Sequence, residues 1–294
     1  METLETLSEM LETTGEIQSI VRTMKSLSAV SIRQYEQAEA AMSGYEKTID
    51  LGLSAVLMDR RARGLSLPET LASDTGTEAL IVIGSDRGLC GRYNEIVTRE
   101  AMARLGERTK VLGVIGARAA ARLDASGHSV DRLFLQPGSV DGLRRLVQAV
   151  IVQIEGWTRD PGVGQVRVVH NRREGRSRAV AVTRDLLPLP DAHLRGLITE
   201  GWPGPGLPFF RADPDRLLSW LVRQRLFVVL YRALAEALAS EHATRLAAMQ
   251  NAERNIEDRR ADLNAAYRRK RQETITRELL DVVSGFEAAG GPEG

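Results

Sequence analysis

LETLSEMLETTGEIQSIVRTMKSLSAVSIRQYEQAEAAMSGYEKTI, residues 4–49, contains no proline and carries its apolar and small residues at steps of three and four. Leu4, Leu7, Leu11, Thr14, Gln18, Val21, Met24, Ser28, Ser31, Tyr35, Ala38, Met42, Tyr45 and Ile49 fall on one helical stripe, the spacing of a coiled-coil seam. A second stripe, toward the other end, runs through Leu246, Met249, Ile256 and Leu263, then Ile275, Leu279, Val282 and Phe286. The first proline is Pro68, and none lies between Pro214 and Pro292. Neither stripe therefore meets the residue that removes a helical hydrogen bond and clashes with the preceding turn. Helices of roughly 55–70 residues would rise about 80–100 Å, more than the core of a chain this size needs. Single helices are marginal in water, so the two stripes are expected to pair as a long antiparallel coiled coil.

Between the ends the period changes. Ala79–Ile83, Lys110–Ile115, Val130–Leu135, Val166–His170 and Ala179–Thr183 read as short strands, and Asn94–Leu105, Ala117–Ser126 and Val140–Trp157 as the helices separating the first four. Alternating strand and helix predicts a small, mostly parallel sheet with right-handed crossovers. Arg60–Gly76 reads as an exposed linker, and Pro188–Pro214, with six prolines, as a connection back to the coiled coil. The expected fold is thus α/β, with a Rossmann-like domain (77–187) inserted between two coiled-coil helices (1–59 and 212–289).

Composition excludes several classes. Forty basic and 39 acidic residues leave a formal charge of +1, so no global field points to nucleic acid. Cys90 is the only cysteine, which rules out an internal disulfide framework and suits a reducing compartment. It shares no ligand spacing with His128, His170, His193 or His242, and no metal site is expected. Acidic residues occupy Met1–Glu5 where a targeting peptide needs bases, and no apolar run nears a membrane span. A soluble chain is expected, meeting a membrane only through partners.

Three features invite chemistry. Gly84-Ser85-Asp86-Arg87-Gly88-Leu89-Cys90-Gly91 follows the first strand, but it has neither the dinucleotide glycine spacing nor a phosphate-loop lysine. A plain strand-to-helix turn or a contact loop are the other readings. Cys90, at a helix start, is a conceivable nucleophile; it lacks a base and an orienting group, and a small half-buried side chain is the simpler reading. Tyr267-Arg268-Arg269-Lys270-Arg271 concentrates four positive charges near Asp258, Asp262 and Glu273. That run is a solvated helix face or a dock for an acidic partner loop.

Ser240-Glu241-His242-Ala243-Thr244-Arg245-Leu246-Ala247-Ala248-Met249 leads on to Asn255, Ile256 and Tyr267, then to Arg271-Gln272-Glu273-Thr274-Ile275-Thr276-Arg277-Glu278-Leu279 and Asp281-Val282-Val283-Ser284-Gly285. Together with the turn Ser85–Gly91 and the stretch Ile20–Lys25, these residues resemble the γ subunit of F-type ATP synthases. Ser85–Gly91 followed by Asn94 is similar to the family's S-D-R-G-L-C-G-x-x-N, and Ile20-Val21-Arg22-Thr23-Met24-Lys25 to its I-T-x-A-M-[EK]. The chain departs from the pattern at His242, Arg268 and Phe286 and in the looser stretch Lys25–Tyr35. Such drift resembles a divergent branch, the sodium-coupled N-ATPases being the one it suggests.

The resemblance implies a rotor shaft with no catalytic site, cofactor or metal of its own, coupling ion flow to ATP synthesis or hydrolysis. It implies α and β subunits, an ε subunit and the ring of c subunits as partners, and a peripheral place on the cytoplasmic face of the cell membrane. By motif match, Met24, Lys25, Arg245, Arg271, Gln272, Thr276 and Glu278 would face the moving parts of β. Asp86, Arg87 and Cys90 would lie in the segment meeting β's acidic lever loop, and Val282, Val283 and Phe286 would form an apolar bearing. Two other readings share parts of the pattern: a homodimeric coiled-coil scaffold with an α/β head, and a small nucleotide-binding enzyme.

Overall fold

A computed structural model describes residues 3–65, 76–160, 162–175, 177–200, 202–204, 206 and 208–289. Helix α1 (Leu4–Ala62) opens the chain and α6 (Pro214–Ala289) closes it. Between them lie β1 (Glu78–Ile83), α2 (Tyr93–Arg104), β2 (Thr109–Ile115), α3 (Ala117–Ala125), β3 (Arg132–Phe134), α4 (Val140–Arg159), β4 (Gln165–Glu174), β5 (Arg178–Leu187) and α5 (Asp191–Glu200). The long helices start where their caps allow. The Thr3 hydroxyl accepts the Thr6 N–H at 3.2 Å, and the Asp213 carboxylate accepts the Arg216 N–H at 2.9 Å just ahead of Pro214.

The chain forms two compact units, one of residues 1–27 and 247–294 and the other of 28–246. In the first, α1 and α6 pair antiparallel, burying Leu7, Val21, Met249 and Leu263. Gln18 is buried at this seam, its amide oxygen held by Arg260. Arg22 and Lys25 both reach Glu253, Arg22 at 2.9 Å. Farther along α6, Ile275, Leu279, Leu280, Val282 and Val283 are exposed by 42–61 %; the side chain of Phe286 lies outside the described residues.

The larger unit holds a five-stranded sheet in the order β3-β2-β1-β4-β5. The first four strands are parallel and β5 returns antiparallel on β4. One face (Ala79, Ile81, Ile83, Val111, Ile115, Val166, Val168) packs on Leu143, Val147, Val150, Ile154 and Trp157 of α4 and on Leu226, Leu230, Leu234 and Leu238 of α6. The other face (Leu80, Val82, Leu112, Val114, Val169) packs on α2 and α3. Alternate residues of each strand thus feed opposite layers. Leu230 and Leu234 are fully buried; truncating such a leucine costs about 2–5 kcal/mol, against about 0–1 for an exposed ion pair. Apolar packing therefore fastens α6 to the sheet. The part-buried pairs of Arg232 with Glu39 (2.7 Å) and Arg225 with Glu46 (2.7 Å) join it to α1.

Three expectations are corrected. Arg60 is not linker: α1 runs to Ala62, and Arg60 is buried and paired with Asp215. The rest of that linker, residues 66–75, lies outside the described residues. The proline-rich return contains α5, whose Leu194 and Leu197 pack on Leu53, Val56, Leu57, Leu218 and Leu221. Its flanking prolines resemble loop punctuation, but Pro190 is spent starting the helix, its carbonyl accepting the Leu194 N–H. β4 and β5 reach ten residues each, because pairing with each other continues beyond the apolar run that signals them.

Candidate functional site

The glycine-rich turn after β1 is drawn tight against its neighbours. A Cβ on Gly84 would lie 2.1 Å from the Ala119 Cβ, and one on Gly116, at φ 111°, would lie 2.7 Å from the Gly84 carbonyl carbon. Only glycines permit that approach, and it sets the turn beside the start of α3. There one Asp86 oxygen accepts the Ala117 N–H (2.8 Å) and the other the Gln136 N–H (2.7 Å). A helix N-terminus is where an α/β fold receives a phosphate; here the chain's own carboxylate sits in it. The Asp86 carboxylate thus fills the start of α3.

Inside the turn, Asn94 accepts the Ser85 N–H (2.9 Å) and donates to the Ser85 hydroxyl (2.7 Å). Cys90 is 3 % exposed, its sulfur 3.6 Å from the Ser85 oxygen, and burial pushes its thiol pKa up. A catalytic thiolate needs the opposite shift. Asp86 and Cys90 thus shape the turn from within. Arg87 and Leu89 face outward, Leu89 at 62 % exposure and with φ 60°. The left-handed backbone costs a leucine about 1–2 kcal/mol, so the surroundings must hold it there.

Beneath the turn lies a buried polar chain that sequence reasoning missed. The Gln136 amide donates to the Gly84 carbonyl and to Glu241, both at 2.7 Å, and its oxygen accepts the Asp86 N–H at 3.1 Å. Glu241 pairs with Arg245 at 2.6 Å, with 3 % and 6 % of their side chains exposed, and Arg245 reaches the Gly88 carbonyl at 3.4 Å. Burial raises the Glu241 carboxyl pKa. His242 stacks on Tyr35, ring centres 5.7 Å apart, and its pKa falls to about 4, from burial first and then from the charges of Arg245 and Arg87. The four-residue spacing of Glu241 and Arg245 on one helix was legible. Gln136, a lone glutamine in a connecting stretch, gave no signal.

The remaining motif residues fall in the smaller unit. Met24 is half-buried and Lys25 is held by Glu253. Arg271, Gln272, Thr276 and Glu278 are exposed on α6, where the basic run is interrupted by the 3.2 Å pair of Lys270 with Glu273. Among the described residues no group of histidine, cysteine, aspartate and glutamate is arranged to hold a metal, and no helix is long and apolar enough to cross a membrane.

The ATP synthase family model matches residues 3–289. The ATP synthase gamma chain of Granulibacter bethesdensis is 31% identical over 300 residues, covering 98% of this chain and 100% of that protein. The gamma chain of Magnetococcus marinus is 29% identical over 300 residues, with 99% and 100% covered. Among solved structures, a chain of the Euglena gracilis mitochondrial ATP synthase (OSCP/F1/c-ring) shares the fold with a TM-score of 0.63 at 19% identity, covering 98% of this chain and 94% of its own. A chain from the central stalk/c-ring structure of the Tetrahymena thermophila enzyme gives 0.56 at 19%, covering 79% and 99%. The match runs from the first turn of α1 to the last of α6 and takes in all three motifs: the chain belongs to the ATP synthase γ chain family.

Proposed function

We infer that this chain is the rotor shaft of an F-type ATP synthase, the γ subunit that couples ion translocation through a membrane ring to ATP synthesis and hydrolysis in the β subunits. Catalysis belongs to β; this chain supplies none. The observation that carries the reading is full-length membership of the family together with antiparallel pairing of α1 and α6 in both units. In this reading segments 1–59 and 212–289 are the shaft and 77–187 the domain at its foot, beside ε and the ring of c subunits. The α and β subunits form the sleeve, covering Ile275, Leu279, Leu280, Val282 and Val283, which are exposed in the isolated chain. Val282, Val283 and Phe286 would be the bearing.

A turning shaft does mechanical work only if its surface differs with angle, so that each β subunit meets a different face in turn. Binding energy that differs between conformations shifts their populations, and equal contacts would shift nothing. Met24, Lys25, Arg271, Gln272, Thr276 and Glu278 are the proposed contacts with β on the shaft; Arg245, which the motif match also pointed toward β, has only 6 % of its side chain exposed and instead holds Glu241 and the Gly88 carbonyl from within. Of the turn, Arg87 and Leu89 make the contact, while Asp86 and Cys90 hold them in place. Exposed ion pairs contribute about 0–1 kcal/mol each, so several must act together and none decides assembly.

The chain would lie peripherally at the cytoplasmic face of the cell membrane, held there by the ring. The departures at His242, Arg268 and Phe286 support a divergent branch, for which we propose the sodium-coupled one; genes for the partner subunits beside this one would identify it.

The test is Arg271→Ala with Gln272→Ala in the complex reconstituted with α and β. Assembly should survive while steady-state hydrolysis and ion-driven synthesis fall sharply. Wild-type rates in a normally assembled complex would refute the assignment of coupling to these side chains.

A further inference from the structure

We propose that Gln136 is a positioning residue: it ties the Ser85–Gly91 turn to α6, so that force on Arg87 and Leu89 reaches the shaft helix without the turn giving way. The proposal rests on the reading that this turn meets a partner. Its own observation is the bonding of one side chain. The Gln136 amide spans from the Gly84 carbonyl to the Glu241 carboxylate, 2.7 Å each, while its oxygen takes the Asp86 N–H. Its main-chain N–H holds the Asp86 carboxylate at 2.7 Å. Both ends of the turn's first half are therefore fixed to one residue, and that residue is fixed to a carboxylate buried in α6. The other polar link from α6, Arg245 to the Gly88 carbonyl, is longer at 3.4 Å and starts from the same ion pair. All three hydrogen-bonding positions of the Gln136 amide are used, and removing it leaves the Gly84 carbonyl, the Asp86 N–H and Glu241 short of a partner. A left-handed, exposed Leu89 is the element such a brace would hold.

A half-buried glutamine that merely fills space would not act locally, and this separates the two roles. Hydrogen exchange of the full chain is followed by mass spectrometry in wild type, Gln136→Met and Gln136→Glu. Methionine keeps the length without donor or acceptor; ionised glutamate keeps the acceptor but brings no hydrogen to Gly84 or Glu241. Peptides over 85–94 should exchange about tenfold faster in both variants, with β1 and α4 unchanged. Unchanged exchange in the turn, or an equal rise throughout the sheet, overturns the proposal.

In the complex assembled with α and β, Leu89→Ser and Gln136→Met should both lower ATP hydrolysis severalfold. An effect of Leu89→Ser with Gln136→Met silent overturns the brace. If both are silent, the turn is not the contact and the force-carrying role falls with that reading, while exchange alone still decides whether Gln136 orders the turn.

Discussion

Replacing Arg245 with methionine tests the buried chain beneath the turn. Arg245 and Glu241 expose 6 % and 3 % of their side chains. Removing one partner of such a pair typically costs about 3–5 kcal/mol, because the other charge is left in the interior. Methionine keeps the unbranched bulk, and Gln136 alone then faces the carboxylate. Burial already raises the Glu241 pKa above its ordinary 4.5, and Arg245 is the foremost influence lowering it. Its removal must raise that pKa further, by about 1.4 kcal/mol per unit. An acid whose folded pKa lies above its unfolded one takes up a proton on folding, so its penalty is absent below the unfolded pKa and grows as pH rises through the folded one. The loss in the variant should therefore be largest near pH 8 and smaller near pH 5. His242 pushes the same way, since losing the Arg245 charge eases its protonation. The assay is urea unfolding followed by fluorescence, with Trp157, 6 % exposed, as a core probe. We expect a loss of about 3–5 kcal/mol at the higher pH, at least about 1 less at the lower, and recovery of more than half in Glu241→Gln/Arg245→Met. Equal losses at both pH values, with the double variant no better than the single, would refute the assignment of a buried, uncompensated carboxylate.

His242 contributes to the acid limb of stability, alongside His170, whose pKa burial also lowers. The His242 pKa is lowered from 6.5 to about 4, so the unfolded chain binds the proton first and stability is lost as pH falls from 6.5 through about 4, by about 3 kcal/mol from this group. His242→Gln should flatten this limb in thermal midpoints measured across that range; an unchanged limb rules out the His242 imidazole as a source. Gly84→Ala should cost about 1–3 kcal/mol through its contact with Ala119. Ala119→Gly alone costs about 1 from helix propensity. The two should compensate in a double-mutant cycle by denaturant unfolding, and simple additivity would show that the close approach is not what constrains the turn.

The coiled-coil stripe at residues 4–49, the parallel sheet and the three motifs were readable without coordinates because each is a local signal, whereas Ile275, Leu279 and Val282 of the second stripe are exposed rather than paired with α1. A seam repeats every three or four residues, a buried strand is a short apolar run, and a motif is a spacing. Of the stripe at residues 4–49, Gln18 and Ser28 are buried despite being polar, and Tyr45 is exposed at 36 % despite its register; the period sets the face and not the depth. Tertiary structure alone placed α5 in the proline-rich return, because its helix is specified by Leu194 and Leu197 docking on residues far away in sequence. It also turned Asp86 and Cys90 inward and left Arg87 and Leu89 exposed, a division that the seven letters Ser85–Gly91 do not contain. Gln136 and Glu241 are 105 residues apart and share one hydrogen bond. Such a contact carries no periodicity and no spacing; it exists because the end of β1, the start of α3 and the face of α6 are brought to one place by the burial of Leu230, Leu234 and their neighbours.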